Sequence, residues 1–156
     1  MRQLLILSGK GGTGKTTLAS SFIHLSDAQA YADCDVDAPN LHLIKRTYHE
    51  VEHQDYMGMD KMVIDPNQCI SCGKCMTHCR FGAISKVNGY EVSTRACEGC
   101  GVCAYVCPVQ AIQSQKIKAG DLSLFKGDSF FSTAKLVMGS GTSGLLVTEV
   151  KKQLKA

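Results

Sequence analysis

The sequence predicts an α/β fold in which the start of a parallel-sheet domain is followed by a smaller, inserted α+β module. A short apolar run at 1–7 leads into a glycine-rich segment and then into a helical pattern, which is the order of a βαβ unit. Further along the chain, eight of the nine cysteines fall into two copies of one spacing, 28 residues apart. These two observations together predict an open α/β sheet interrupted by a cysteine-rich duplication.

The glycine-rich segment at 8–17 satisfies the pattern G-x-x-x-x-G-K-S/T, with a predicted strand before it and a helix after it. Its glycines allow backbone N–H groups to turn inward around phosphate oxygens. Lys15 supplies a charge to the β- and γ-phosphates, and Thr16 offers a hydroxyl to Mg²⁺. The helix, predicted from Thr16 to about His24, directs its positive end towards the anion. The predicted nucleotide-binding residues of this loop are Gly11, Gly12, Gly14, Lys15, Thr16 and Thr17.

A second strand is predicted at about 28–34, and it ends in a segment rich in aspartate, at 33–40. Carboxylates at the carboxyl end of a parallel strand face the ligand crevice of an open α/β sheet. Asp33 and Asp35 could therefore hold Mg²⁺ or order a water molecule. The alternative is a turn rich in Asp, Asn and Pro, which is the commoner fate of such residues.

The duplicated cysteines have the spacing C-x-x-C-x-x-C-x-x-x-C, which is typical of bacterial ferredoxins with two clusters. The two runs are Cys69, Cys72, Cys75 and Cys79, and Cys97, Cys100, Cys103 and Cys107. A zinc site would need two pairs separated by a long gap, and a disulfide framework would need a secreted chain. The runs therefore predict two 4Fe-4S clusters, and in this motif the fourth cysteine of each run ligates the other cluster. The expected sets are Cys69, Cys72, Cys75 and Cys107, and Cys97, Cys100, Cys103 and Cys79.

Three segments are predicted along the chain: 1–62 as the start of the nucleotide-binding domain, 63–116 as the cluster module, and 117–156 as a return segment. Residues 45–62 lack a clear period and are predicted to be an irregular connector. The cluster module should contain strands at 62–65 and 89–92, with helical turns after Cys75 and Cys103. The return segment should contain short strands around a turn at 126–128, then a helix at 145–154.

Composition excludes several classes of protein. The formal charge of +3 falls to about −1 once eight thiolates and two cluster cores are included. Because there is no tryptophan and no basic stripe with interleaved aromatic residues, no nucleic-acid partner is expected. No apolar stretch approaches the length of a membrane span. Nine cysteines without a secretion signal indicate a reducing compartment, and we expect the protein in the cytoplasm.

Taken together, the segments 10–17 and 33–41 and the two cysteine runs resemble the MinD/ParA/Mrp class of P-loop ATPases. The resemblance is to the subgroup that carries an inserted ferredoxin domain with two 4Fe-4S clusters. It implies a partial P-loop NTPase fold with an inserted bacterial-ferredoxin-like domain, and it implies ATP and Mg²⁺ as cofactors. In that class the residue matching Lys10 reaches the partner's phosphates across a dimer that sandwiches the nucleotide. The residue matching Asp35 helps to position the attacking water, and the one matching Asp33 lies close to Mg²⁺.

The sequence departs from this class in two places. Arg80 follows the first cysteine run where a ferredoxin usually has proline, whereas Pro108 follows the second, so the two clusters are expected to differ somewhat in potential. After Asp65 there is no apolar strand ending in the aspartate of a Walker B segment. The chain could be a fragment, a split protein or a degenerate relative, and the sequence leaves these three open. Whether it is an ATPase is equally open at this point.

The resemblance implies nucleotide-gated transfer of electrons, or of clusters, to a protein partner. The alternatives are a ferredoxin-like electron carrier with a vestigial nucleotide site and a scaffold for iron–sulfur assembly. The expected partners are a redox or iron–sulfur client protein, a second copy or a related iron–sulfur ATPase, and a separately encoded carboxyl-terminal half.

Overall fold

A computed structural model describes residues 3–43 and 49–155 of the chain. The helices are α1 (Lys15–Leu25), α2 (Lys74–His78), α3 (Val102–Tyr105) and α4 (Ser143–Gln153). The strands are β1 (Ala30–Asp33), β2 (His49–Met57), β3 (Lys61–Ile64), β4 (Ile84–Lys86), β5 (Tyr90–Val92), β6 (Ile112–Gln115), β7 (Lys118–Lys126) and β8 (Phe130–Leu136). The elements expected at 16–24, 28–34, 62–65, 89–92 and 145–154 are confirmed as α1, β1, β3, β5 and α4.

The largest sheet has the strand order β1-β8-β7-β2 and is mixed. Strands β1 and β8 run parallel, with Ala30 opposite Phe130 and Asp33 opposite Thr133. Strands β7 and β8 are neighbours joined by a short turn, in which the Gly127 N–H donates to the Ser129 carbonyl over 3.1 Å. A turn this short reverses the chain, because a parallel connection needs a crossover of a dozen or more residues. The sheet is therefore mixed and not the parallel sheet that was predicted, although β1 and β8 do run parallel.

The amino-terminal strand expected at 1–7 is not formed over the residues described. Residues 3–8 have no regular structure, and residues 1–2 lie outside the described part. Leu4, Leu5 and Leu7 are 66, 64 and 78% exposed. A strand needs a neighbour to pair its backbone N–H and C=O groups, and in the described residues this segment has none. The apolar composition of the segment was therefore not enough to make a strand.

The connector expected at 45–62 is wrong for most of its length. Residues 45–48 lie outside the described part, but 49–57 form β2, which pairs with β7 at the edge of the sheet. Eight of the nine residues of β2 are exposed. Its stability thus comes from backbone pairing rather than from an apolar face, which is why side-chain periodicity did not reveal it.

The chain divides into two compact units. The first comprises 1–54, 122–135 and 147–156, and the second comprises 55–121 and 136–146. In the first unit the fully buried ring of Phe131 stacks against Tyr31 and Phe125, with centroids 5.0 and 5.8 Å away. Val36 and Val150 are also fully or almost fully buried. The domain boundaries at 62 and 116 remain a prediction.

The second unit contains the duplication, and its two halves exchange strands. Strand β3 enters the first half and pairs antiparallel with β6, which leaves the second half, so that Ile64 lies opposite Ile112. Strand β5 enters the second half and pairs antiparallel with β4, which leaves the first, so that Val92 lies opposite Ile84. Both pairings are the same once the 28-residue offset is applied. The two halves are therefore interlocked, and neither sheet can form from one half alone.

Gly99 provides a test of how tightly this unit is packed. A Cβ on Gly99 would lie 2.2 Å from the Asp60 carbonyl oxygen, whereas a Cβ on Gly101 would meet nothing within 4 Å. Both glycines have positive φ, +65° and +76°. We expect Gly101→Ala to lower the free energy of unfolding by roughly 1–2 kcal/mol through its φ alone. Gly99→Ala should lower it clearly more, because the Asp60 backbone cannot move aside. Thermal unfolding of the two iron-loaded variants would measure the difference, and equal losses would contradict this packing.

Candidate iron–sulfur centres and phosphate loop

The eight duplicated cysteines line two cavities in the second unit, four to each. The first cavity is lined by Cys69, Cys72, Cys75 and Cys107. The second cavity is lined by Cys79, Cys97, Cys100 and Cys103. Each cavity measures about 320 Å³, including the part open to solvent. Each therefore receives three cysteines from one run and the fourth from the other, which is the combination that the motif predicts.

The same local structure presents the cysteines in both halves. Gly73 and Gly101 precede helices α2 and α3 with φ of 78° and 76°, a left-handed conformation that glycine adopts at little cost. The third cysteine of each run, Cys75 or Cys103, lies within the short helix and is buried. The chain then leaves the helix and carries the fourth cysteine towards the other half. The turn and the helix thus separate three cysteines from the fourth.

Each cavity has an apolar wall that comes from both halves. Ile64 and Ile112 line the first cavity, and Ile84 and Val92 line the second. These pairs lie opposite one another in the two strand pairings. Apolar walls limit the access of water, and around a metal centre they help to set its reduction potential.

The buried thiols have altered acidity. Burial raises the pKa of Cys75 above its ordinary value; the neighbouring Cys69 and Cys72 raise it further, against backbone N–H groups that lower it. Burial likewise raises the pKa of Cys103, and Cys97 and Cys100 act in the same direction. A metal must displace the proton of a thiol whose pKa is raised, so iron binding at either cavity should release protons.

Backbone amides also donate to cysteine sulfurs outside the short helices, in both ligand sets. The Gly99 N–H donates to Cys97 Sγ over 3.4 Å, and the Ala111 N–H donates to Cys107 Sγ over 3.3 Å. Such bonds favour the thiolate over the thiol and orient it, as partners of metal ligands do. Four sulfurs in an apolar cavity, with amide donors behind them, are a donor set that suits a 4Fe-4S cluster.

The glycine-rich loop lies in the first unit, before helix α1. A Cβ on Gly9, Gly11, Gly12 or Gly14 would meet nothing within 4 Å, so no close packing requires these glycines. Gly12 and Gly14 have φ of +77° and +80°. Lys10 and Thr17 are exposed. The loop therefore has space on its outer side and a backbone that is easily adopted only by glycine.

The predicted polar residues of the first unit converge in pairs beside this loop. The Lys15 ammonium lies 3.3 Å from an Asp35 carboxylate oxygen, and the Thr16 hydroxyl donates to Asn40 Oδ1 over 3.0 Å. The buried Asp33 accepts bonds from the backbone N–H groups of residues 35, 40 and 41, at 2.9–3.0 Å. Asp33 thus fixes the 33–41 turn, and this turn brings Asp35 and Asn40 to the loop. Asn40 was not among the predicted site residues, although it belongs to the aspartate-rich segment.

The ninth cysteine, Cys34, belongs to the first unit and follows β1. Burial raises the pKa of its thiol, the Asp33 carboxylate acts in the same direction, and Lys151 and Lys15 oppose the rise. We expect Cys34→Ser to leave the iron content of the loaded protein unchanged. In the loaded wild-type protein, iodoacetamide should modify Cys34 slowly at neutral pH and faster as the pH rises, because a raised pKa leaves less thiolate at neutral pH. Loss of about four irons in Cys34→Ser would contradict the assignment.

Comparison with known proteins identifies the class of this module. The family model of the 4Fe-4S dicluster domain matches residues 62–114. Pyruvate synthase subunit PorD of Methanothermobacter marburgensis is 40% identical over 58 residues, which are 37% of this chain and 69% of that protein. The chain belongs to the family of 4Fe-4S dicluster ferredoxin domains. It is a mixed α/β protein with a ferredoxin-like iron–sulfur domain.

Similarity also extends beyond the cluster module. An uncharacterized protein of Methanocaldococcus jannaschii is 31% identical over 163 residues, which cover 98% of this chain and 55% of that protein. One component of the ion-translocating oxidoreductase complex of Methanosarcina acetivorans is 30% identical over 79 residues, which are 49% of this chain and 27% of that protein. The chain thus spans about half the length of the relatives that match nearly all of it. Among the described residues, no helix has both the length and the apolar character needed to span a membrane.

Proposed function

We propose that this protein transfers electrons through two 4Fe-4S clusters to a redox partner protein. The observation that carries the proposal is the lining of the two cavities by four cysteines each, three from one run and one from the other. The first set would be Cys69, Cys72, Cys75 and Cys107, and the second would be Cys79, Cys97, Cys100 and Cys103. When bound, each cluster would accept and release one electron. The thiol-rich composition suits the reducing cytoplasm.

The protein residues would hold these clusters firmly between apolar walls, with the exposed Cys72 and Cys100 on the solvent side of the two sites. Local turns at Gly73 and Gly101 orient three sulfurs of each set, and the interlocked strands fix the fourth. A centre held in this way suits electron transfer better than donation of the cluster to another protein, which requires labile ligation. Two of the relatives are named as parts of a synthase and of an oxidoreductase complex, which supports a protein as the redox partner.

Anaerobic reconstitution tests this function. The loaded protein should contain about eight irons and take up about two electrons from dithionite, one for each cluster. It should retain the iron through repeated oxidation and reduction, measured by iron analysis and electron paramagnetic resonance. Release of iron–sulfur clusters to an apo-ferredoxin on the same timescale would favour the assembly scaffold instead. About four irons, or none, would contradict the proposal.

A second function, nucleotide binding, is favoured by a specific arrangement in the first unit. A Cβ added at any of the four glycines of the loop would have no protein atom within 4 Å, so the loop has free space beside it. Lys15 and Thr16 follow the loop directly, at the start of α1. Phosphate oxygens would fit this backbone, with Lys15 as their counter-charge and Thr16 towards Mg²⁺. Asp33 would hold the turn close to the Mg²⁺, and Asp35 would be released from Lys15 to act on water. The chain would then belong to the MinD/ParA/Mrp type of ATP-gated iron–sulfur proteins.

In that type of protein the complete site needs a second chain. Lys10 would reach the nucleotide of a second copy, or of a related iron–sulfur ATPase, across a dimer. Because 1–156 lacks a Walker B aspartate, we expect this chain to bind MgATP weakly and to hydrolyse it negligibly by itself. Addition of a separately encoded carboxyl-terminal half should restore turnover.

A further inference from the structure

One lysine of the second unit is buried beside a candidate cluster site. Lys61 begins strand β3 and is only 5% exposed. Its ammonium donates a hydrogen bond to the carbonyl oxygen of Cys97, which lines the second cavity. Two residues further along, Gly99 packs directly against the carbonyl of Asp60. Residues 60–61 are therefore in contact with the loop that presents Cys97 and Cys100.

This buried charge has no carboxylate partner among residues 3–43 and 49–155. The carboxylate of the adjacent Asp60 accepts a bond from the Ser114 hydroxyl, and no described acid forms an ion pair with Lys61. Buried lysines without a counter-charge are rare, because removing an ammonium from water costs several kcal/mol. A neutral carbonyl offsets only part of this cost. A negative group near Lys61 would offset the rest of this cost.

The charge is present in one half of the duplication only. The residue 28 positions after Lys61 is Gly89, which has no side chain. At the first cavity the nearest equivalent is Lys74, which lines the cavity but is exposed and starts α2. The position matching Lys74 at the second cavity is Val102. The first cavity thus has a solvated ammonium at its edge. The second has the exposed Glu98 in its lining and, behind Cys97, a buried ammonium bonded to the Cys97 carbonyl.

We propose that Lys61 is the counter-charge of the cluster held by Cys79, Cys97, Cys100 and Cys103, and that it makes this cluster the easier of the two to reduce. The inference rests on the two-cluster assignment proposed above. One electron takes a cluster with its four thiolates from a charge of about −2 to about −3, with no bond broken and no proton moved. A buried positive charge stabilises the more negative state, and it does so more strongly than an exposed one. In the one-electron-reduced protein, the electron would therefore occupy mainly the second cluster.

Redox titration of the reconstituted protein with dithionite tests this, with electron paramagnetic resonance as the readout. In Lys61→Met, one of the two midpoint potentials should fall by at least about 59 mV, which is a tenfold loss in the equilibrium constant for adding one electron. The other potential should not move. Lys61→Arg, which keeps the charge, should stay close to wild type. A Cys100→Ser variant, which alters the spectrum of the second cluster, identifies which of the two couples has shifted.

Lys74→Met is the matched control, because it removes an exposed ammonium at the first cavity. Lys74→Met should lower the midpoint potential of the first cluster, by less than the tenfold equivalent of about 59 mV. This shift should disappear in about 1 M salt. Unchanged potentials in a fully loaded Lys61→Met protein would overturn the inference, as would an equal fall in Lys61→Arg. If Lys61→Met loses a cluster, retention of both by Lys61→Arg supports the role of the charge, and equal loss overturns it. Failure of wild type to show two couples would instead count against the two-cluster function.

Discussion

Replacing Cys72 and Cys107 together should remove one cluster and leave the other intact. Both cysteines line the first cavity, although they come from different runs. The second cavity keeps all four of its sulfurs in this double variant. The expected protein, Cys72→Ala with Cys107→Ala, therefore contains about four irons and one couple with its wild-type potential and spectrum.

The matched variant keeps Cys107→Ala and adds Cys100→Ala instead. Cys100 belongs to the same run as Cys107 but lines the second cavity. Both cavities then lack one sulfur, and neither couple should keep its wild-type potential. If each run instead ligated its own cluster, the outcomes of the two double variants would be exchanged. Iron analysis and electron paramagnetic resonance on both proteins therefore decide the pairing without reference to stability.

Lys15→Ala should abolish the binding of MgATP while leaving the clusters in place. In the structure the Lys15 ammonium pairs with Asp35, and both side chains are about a third exposed or more, so this ion pair is weak and easily exchanged for a phosphate. Removing the charged partner of a phosphate costs roughly 2–5 kcal/mol, which corresponds to a loss in affinity of at least about thirtyfold. Equilibrium binding of a fluorescent ATP analogue would measure it, with iron content as the internal control.

Lys10→Ala is the matched variant in the same loop. Its side chain is exposed and its carbonyl accepts bonds from the Ser8 and Thr13 hydroxyls, so the loop should keep its shape without the ammonium. Binding of MgATP should be retained, whereas any hydrolysis gained with a carboxyl-terminal half should fall. Wild-type binding by both variants would show that the loop is a structural turn only, and the electron-transfer function would then stand alone.

The sequence was informative wherever the chemistry depends on neighbours along the chain. The cysteine spacing placed three sulfurs of each set within seven residues, so the class of cofactor could be predicted before any fold was known. Helix α1 was equally local, because the loop motif places a helix directly after Gly14 and neither glycine nor proline interrupts 15–25. The aspartates at and just after the end of β1 were predicted to face the same crevice as the glycine loop, and Asp35 lies 3.3 Å from Lys15, whereas their role in nucleotide binding stays a prediction.

The tertiary structure decided the features that depend on pairing between distant segments. The sheet is mixed because a short turn after Lys126 returns β8 beside β7, and β2 exists only because β7 offers an edge to its polar residues. The segment 1–7 had the composition of a strand, but the part of it that is described has no pairing partner. The contact between Lys61 and Cys97 joins residues 36 positions apart, and no local pattern distinguishes this lysine from an exposed one. Backbone pairing and the burial of a charge are non-local properties, so only the folded chain reveals them.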